Sequence, residues 1–333
     1  EGRRGRPGHD APLVLTAGTE GFGFGAGEVW GVHLAWSGDS TVWAERDPVG
    51  FSQIGAAELL APSEVRLCSG ETYTAPRVYA AYSDRGLDGM SAAFHQLVRA
   101  RPHHPRTPRP VILNTWEAVY FDHRLDRLSE LAEAAARIGV ERFVLDDGWF
   151  GGRRDATAGL GDWYVSTDVW PLGLAPLIDH VRSLGMDFGV WVEPEMVNPD
   201  SELFRAHPDW ILNEPGRLPP TWRNQQVLDL ANPLAFSYLL ERLDSLLSDH
   251  DIAYLKWDHN RDLVDACHLG RPGLRVQPLA LYRLLHELTS RHPHVRIESC
   301  ASGWARTSLG LLTRTYRICP SATPDPTALT PNT

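Results

Sequence analysis

From residue 111 onward, short apolar runs that end in polar residues alternate with segments of helical spacing. The runs are VILNTWEA (111–118), RFVLDDGW (142–149), DFGVWVEPEM (187–196), IAYLKWDHN (252–260) and VRIESCAS (295–302), with a weaker sixth in RTYRICPSA (314–322). Between them lie LDRLSELAEAAARIG (125–139), LAPLIDHVRSLG (174–185), PLAFSYLLERLDSLLSD (233–249) and PLALYRLLHELTSRH (278–292). In the first of these, apolar residues at 125, 128, 131, 135 and 138 share one helical face. Such βα alternation implies a parallel sheet, either a barrel or doubly wound. No G-x-G-x-x-G follows the first run, so a dinucleotide fold has little support. Polar strand ends favour a (β/α)8 TIM barrel, whose chemistry gathers at the C-terminal ends of its strands. A full barrel needs eight strands, and this sequence supplies five or six. The expectation is an incomplete barrel over 111–333.

Upstream the pattern differs. Residues 21–85 read as β structure: GEVWGVHLAWSG (27–38) alternates, and Gly, Asp and Ser punctuate the runs. GLDGMSAAFHQLVRA (86–100) reads as a helix, and RPHHPRTPRP (101–110), with four prolines, as a stiff linker. The β region looks like the tail of something longer, so the chain reads as a fragment or a truncated gene product.

With 333 residues and 43% hydrophobic content, the chain can build a full core and two domains. A net charge of −10 argues against nucleic acid or an anionic membrane as partner. No apolar run approaches the ~20 residues of a membrane span. No signal peptide is visible, although the chain starts at Glu1 rather than Met. Four scattered cysteines without a CxxC pair fit a reducing, cytoplasmic location and no structural zinc. Eight of the twelve tryptophans fall between Trp116 and Trp257. Their flat faces suit sugar rings; the alternative is core filling.

In YLKWDHN (254–260), strand alternation puts Tyr254, Lys256, Asp258 and Asn260 on one face. The strand ends also gather Glu117, Asp146, Asp147, Glu193, Glu195 and Glu298, some of which could be purely structural. Glycoside hydrolysis needs two carboxyl groups flanking the scissile bond. Asp258 is the candidate nucleophile, with the Lys256 ammonium about 7 Å along the strand. Adjacent Asp146 and Asp147 can accept hydrogen bonds from neighbouring sugar hydroxyls. HPH (292–294) and PHHP (102–105) raise a metal-dependent hydrolase as a rival. Neither motif sits at a strand's C-terminal end, so no metal and no cofactor is expected.

VLDDGWFGGR, DFGVWVEPEMVNPDSELFRAHPDW, YLKWDHNR and IESCASG closely resemble the bacterial α-galactosidases of glycoside hydrolase family 36. The resemblance covers roughly residues 20–315. It implies a retaining, metal-free enzyme that releases terminal α-linked galactose from melbiose- or raffinose-type oligosaccharides, and a homo-oligomer. It implies that residues 1–95 are the C-terminal portion of an N-terminal β-sandwich domain, 96–110 a helix end and linker, and 111–333 the truncated barrel. It makes Asp258 the nucleophile and Asp146 and Asp147 galactose-binding. It places Trp116, Trp191, Arg223, Lys256, Trp257, Asn260 and Cys300 around the sugar.

The C-terminal stretch departs from the family. Ala322 stands where the general acid/base Asp is expected, Trp304 where a Gly is, and Ser308 where an Asp is usual; Tyr316 and Cys319 also look out of place. The expectation is a decayed or misread 3′ end and doubtful activity. Two other outcomes stay open: a galactose-binding pseudoenzyme, and a relative acting on N-acetylgalactosamine or transferring galactosyl groups.

Overall fold

The structure, a computed structural model, describes residues 1–8, 13–101, 104–302 and 306–319. The six runs form one curled, six-stranded parallel sheet in sequence order: Ile112–Asn114, Arg142–Leu145, Asp187–Val192, Tyr254–Trp257, Arg296–Ser299 and Arg317–Ile318. This is a half-barrel, and the weak sixth run is a true strand, paired Glu298↔Arg317 and Ser299↔Ile318.

Each ladder is shorter than the apolar run that predicts it, because the polar tail peels away toward the mouth. Asp258 and Asn260 therefore lie just beyond their strand, although Asp258 N–H still donates to Val192 O at 2.8 Å. Trp116 and Glu117 open a four-residue helix, Trp116–Val119, instead of prolonging the first strand.

Alternation sorts the side chains. Phe188, Val190, Val192, Leu255 and Ile297 are buried in the core shared with the helices. The register sets Lys256 beside Trp191 on one side and Glu298 on the other, all on the opposite face. Gly189 pairs with Tyr254, and a Cβ at 189 would stand 2.8 Å from Tyr254 Cβ. The helix Pro233–Asp249 shows why local sequence suffices for some elements. Asn232 caps it, its side chain accepting from Leu234 N, and proline fits the first turn. Ala235, Phe236, Leu239, Leu240, Leu243, Leu246 and Leu247 then bury one stripe against the core.

Upstream, Leu15–Gly18, Val29–Leu34 and Val78–Ser83 form an antiparallel sheet, and Ser40–Arg46 pairs with Ser52–Glu58. The first of these precedes the expected start of β structure at 21, since LTAG carries no alternation to read. This part is bolted to the half-barrel. Arg4 and Arg6 both pair with Asp262, and Leu263 N donates to Arg4 O at 2.9 Å. Tyr282 OH donates to Ser37 Oγ at 2.7 Å, and Ser37 and Ser308 hydroxyls share a hydrogen bond of 3.0 Å. Ser308 is also the N-cap of the helix Leu309–Leu312, so this departure from the family pattern has a structural role here. None of the described helices is long and apolar enough to cross a membrane.

Candidate active site

Asp258 is buried at the mouth of the half-barrel, and three donors converge on it. Trp191 Nε1 reaches Oδ2 at 3.1 Å, Asn260 Nδ2 reaches the same oxygen at 2.7 Å, and His259 N–H reaches Oδ1 at 2.9 Å. These contacts hold the carboxylate in one orientation. Trp191 is itself anchored, because its carbonyl accepts Trp149 Nε1 at 2.9 Å.

The Lys256 ammonium goes elsewhere. Nζ donates to Asp146 Oδ2 at 2.9 Å, where Asn114 Nδ2 also donates at 2.6 Å. Its ion pair is thus with Asp146, while the Asp258 charge still reaches it. The flexible four-carbon stem crosses the interior from the fourth strand to the end of the second. Burial opposes the ammonium, yet the charges facing it, Asp146 first, then Cys300 and Asp258, lift its pKa above the usual lysine value.

Asp147 is held by Arg153, with Nε to Oδ1 at 2.9 Å and Nη2 to Oδ2 at 2.7 Å. Burial raises its pKa to about 6, helped by Asp146 and Asp258 and resisted by Arg153. Both members of the acidic pair are therefore partnered already. A sugar hydroxyl would use their remaining lone pairs.

Two of the other carboxylates belong to structural networks. Glu195 accepts Trp257 Nε1 at 3.0 Å and both Arg306 terminal nitrogens, at 2.6 and 2.9 Å. Glu298 accepts Tyr254 OH at 2.5 Å and pairs with Arg317 at 2.7 Å. Glu193 lies behind the nucleophile loop, accepting Asn260 N–H at 2.5 Å and Gln225 Nε2 at 2.9 Å. Burial and then the Asp258 charge push its pKa up to about 8. Glu117 is at the rim, within 3.3 Å of the Tyr120 hydroxyl.

Cys300 is buried beside Lys256 and Asp258, with its thiol hydrogen-bonded to that of Cys319. Trp116 stands edge-on to Tyr120 and Phe121, ring centroids 5.1 and 5.2 Å away. Arg223 is exposed, and its charge reaches Glu193. It and Asn224 both take left-handed backbone, φ +56° and +59°, a rare pair outside glycine that sets a tight turn at the mouth. Trp257 is not brought into this group. The residue after Lys256 points the other way, and its ring is packed in the helix-side core. Position 322 and Trp304 lie outside the described residues.

Sequence reasoning missed Asn114, Arg153 and Gln225. All three are partners of predicted carboxylates, and none sits in a periodic pattern; the only local signal was polarity beside NTWE, DDGW and TWRNQQ. Among the described residues no group of three or more His, Cys, Asp or Glu could hold a metal. His292 of the HPH motif instead shares a 2.7 Å hydrogen bond with Asp244. A cleft of about 650 Å³ lies on the helix side, lined by residues such as Tyr282, His286, Arg296 and Tyr316 and, among the described residues, by no carboxylate, which sets it apart from the Asp258 site.

A parallel half-barrel with buried carboxylates and one ammonium at its mouth defines an α/β barrel whose polar groups gather at the C-terminal ends of its strands. A family model described as Melibiase matches residues 72–330, and one described as the glycosyl hydrolase family 36 N-terminal domain matches residues 1–68. The Escherichia coli alpha-galactosidase is 50% identical over 322 residues, 96% of this chain and 45% of that protein. Alpha-galactosidase AgaA of Geobacillus stearothermophilus is 39% identical over 321 residues, 94% of this chain and 44% of that protein. The crystal structure of a double variant of AgaA in complex with raffinose superposes with a TM-score of 0.92 at 37% identity, covering 97% of this chain and 46% of that one. The chain belongs to the α-galactosidase family of glycosyl hydrolase family 36, and spans somewhat under half the length of these relatives.

Proposed function

We propose that the protein is a retaining α-galactosidase that cleaves terminal α-linked galactose through a covalent galactosyl-Asp258 intermediate. The observation that carries this reading is the Asp258 carboxylate, oriented by Trp191, Asn260 and the His259 N–H at a barrel mouth whose other side holds Asp146 and Asp147. In the first step a carboxylate oxygen of Asp258 bonds to the anomeric carbon as the glycosidic C–O bond breaks, and the leaving oxygen takes a proton from solvent, since Ala322 has none to give. In the second, water displaces Asp258 and releases galactose. Asp146, Asp147 and Arg223 would hold sugar hydroxyls, and Trp116 and Trp191 would wall the ring. Solved relatives carry raffinose and stachyose, which supports oligosaccharides of that type as substrates.

The family pattern puts the general acid/base at position 322, which is Ala322 here. Losing that group typically costs 10²–10⁴-fold for leaving groups that need protonation. This favours a second reading, a galactose-binding protein with little turnover. Turnover of an aryl α-galactoside with a good leaving group separates them, since such a substrate needs little protonation. Slow turnover or a burst that vanishes in Asp258→Ala supports the hydrolase. Galactose binding without turnover in either protein supports the pseudoenzyme.

A further inference from the structure

Glu193 is 1% exposed at the end of the third strand and takes no part in the chemistry above. Both its oxygens are engaged. Oε1 accepts Asn260 N–H at 2.5 Å, and Oε2 accepts Gln225 Nε2 at 2.9 Å. Asn260 in turn gives Nδ2 to Asp258 Oδ2 at 2.7 Å, while its Oδ1 accepts from Ser302 N–H and hydroxyl at 3.1 and 3.0 Å. One carboxyl on the third strand thus holds the backbone of the residue that orients the nucleophile. Resting on the hydrolase reading, we propose that Glu193 is a positioning residue for Asp258: by tethering the Asn260 backbone it aims the Asn260 amide at the nucleophile and locks the 258–260 turn to the neighbouring strand.

The electrostatics agree with this role. The charges acting on Glu193 are those of Asp258, next along the sheet, Arg223 on the turn across the mouth, and Arg261 beyond the nucleophile turn. Burial and then Asp258 lift its pKa to about 8, against the Asn260 hydrogen bond and Arg223. Proton uptake is thus favoured well above the ordinary carboxylate range, which limits the second negative charge the tether adds beside the nucleophile. It is no stand-in for the missing acid: both oxygens are tied, and the carboxyl has no opening to the mouth.

Two variants of the full chain test this. Glu193→Gln keeps an acceptor for Asn260 N–H and removes the titration; Glu193→Ala removes the acceptor. Turnover of an aryl α-galactoside and thermal unfolding are followed from about pH 5 to about pH 9. The tether predicts that Glu193→Gln keeps at least about a third of wild-type kcat near neutrality, whereas Glu193→Ala loses roughly tenfold or more with KM little changed. Wild-type turnover falls as pH rises through about 8, and that of Glu193→Gln does not. Unfolded, the carboxyl titrates near 4.5, so between 4.5 and about 8 the folded state binds the extra proton and loses stability as pH rises. The melting advantage of Glu193→Gln over wild type therefore grows across that window. If wild type turns over nothing but this melting difference appears, the hydrolase reading fails and the buried tether stands. Glu193→Gln as damaging as Glu193→Ala overturns the proposal. So do matching pH profiles and melting curves in wild type and Glu193→Gln.

Discussion

Lys256 Nζ lies 2.9 Å from Asp146 Oδ2, with both side chains buried. The ammonium two residues before Asp258 thereby ties the fourth strand to the end of the second across the interior of the half-barrel. Lys256→Met leaves Asp146 buried without its counter-charge, a loss of about 3–5 kcal/mol. Lys256→Met with Asp146→Asn recovers most of it, because no charge is stranded. Denaturant unfolding of the three proteins checks this; a single variant as stable as wild type contradicts the buried pair.

Asp147 carries the acid side of the pH dependence. Its folded pKa of about 6 lies above the ordinary 3.8, so acidification protonates it in the folded chain first. Over that window the group makes the fold more stable as pH falls. Binding moves the opposite way, since a protonated carboxyl accepts fewer hydrogen bonds from sugar hydroxyls. Galactose affinity, measured by calorimetric titration, is expected to weaken several-fold as pH drops below about 6 while melting does not suffer from this group. Flat affinity would remove Asp147 from the sugar site.

Gly189 pairs with Tyr254 where the third and fourth strands leave no room for a side chain. A Cβ there meets Tyr254 Cβ at 2.8 Å and its carbonyl oxygen at 3.0 Å. Gly189→Ala is expected to cost about 1–3 kcal/mol through overpacking in the sheet. An unchanged unfolding midpoint would mean that the strands can separate freely here.

Ala322→Asp separates the two halves of the chemistry. Raffinose, whose leaving group needs a proton, is expected to gain about 10²–10⁴-fold in hydrolysis. An aryl α-galactoside with a good leaving group gains little in kcat/KM, which reports the bond-breaking step alone. Galactose release from both substrates is the readout, and no gain on raffinose contradicts the assignment of position 322.

The fold was legible wherever local pattern decides it. The helix Pro233–Asp249 matches its sequence span end to end, because Asn232 and Pro233 mark its start and leucines its stripe. Strand ends were less legible, since VLDD and KWDHN continue without a break past the point where the ladder stops. Alternation placed Lys256 on the right face, but its partner Asp146 is 110 residues away, and periodicity carries no such distances. Arg153 and Gln225 lie in loops, where nothing repeats. The same alternation excludes Trp257 from the face of Lys256, although the family resemblance made it a candidate. Ser308 read as a lost carboxylate, and only its contacts with Leu311 N–H and Ser37 reveal a cap.

The account turns on Asp258 forming a bond to the sugar. Incubation with a 5-fluoro-α-galactosyl fluoride, whose fluoride leaves without protonation and whose adduct hydrolyses slowly, followed by intact-mass and peptide analysis, tests this directly. The account predicts a mass gain of one fluorogalactosyl group, located on the peptide containing Asp258 and absent from Asp258→Ala. A folded, galactose-binding chain that gains no mass, or one labelled at a different carboxylate, would contradict it.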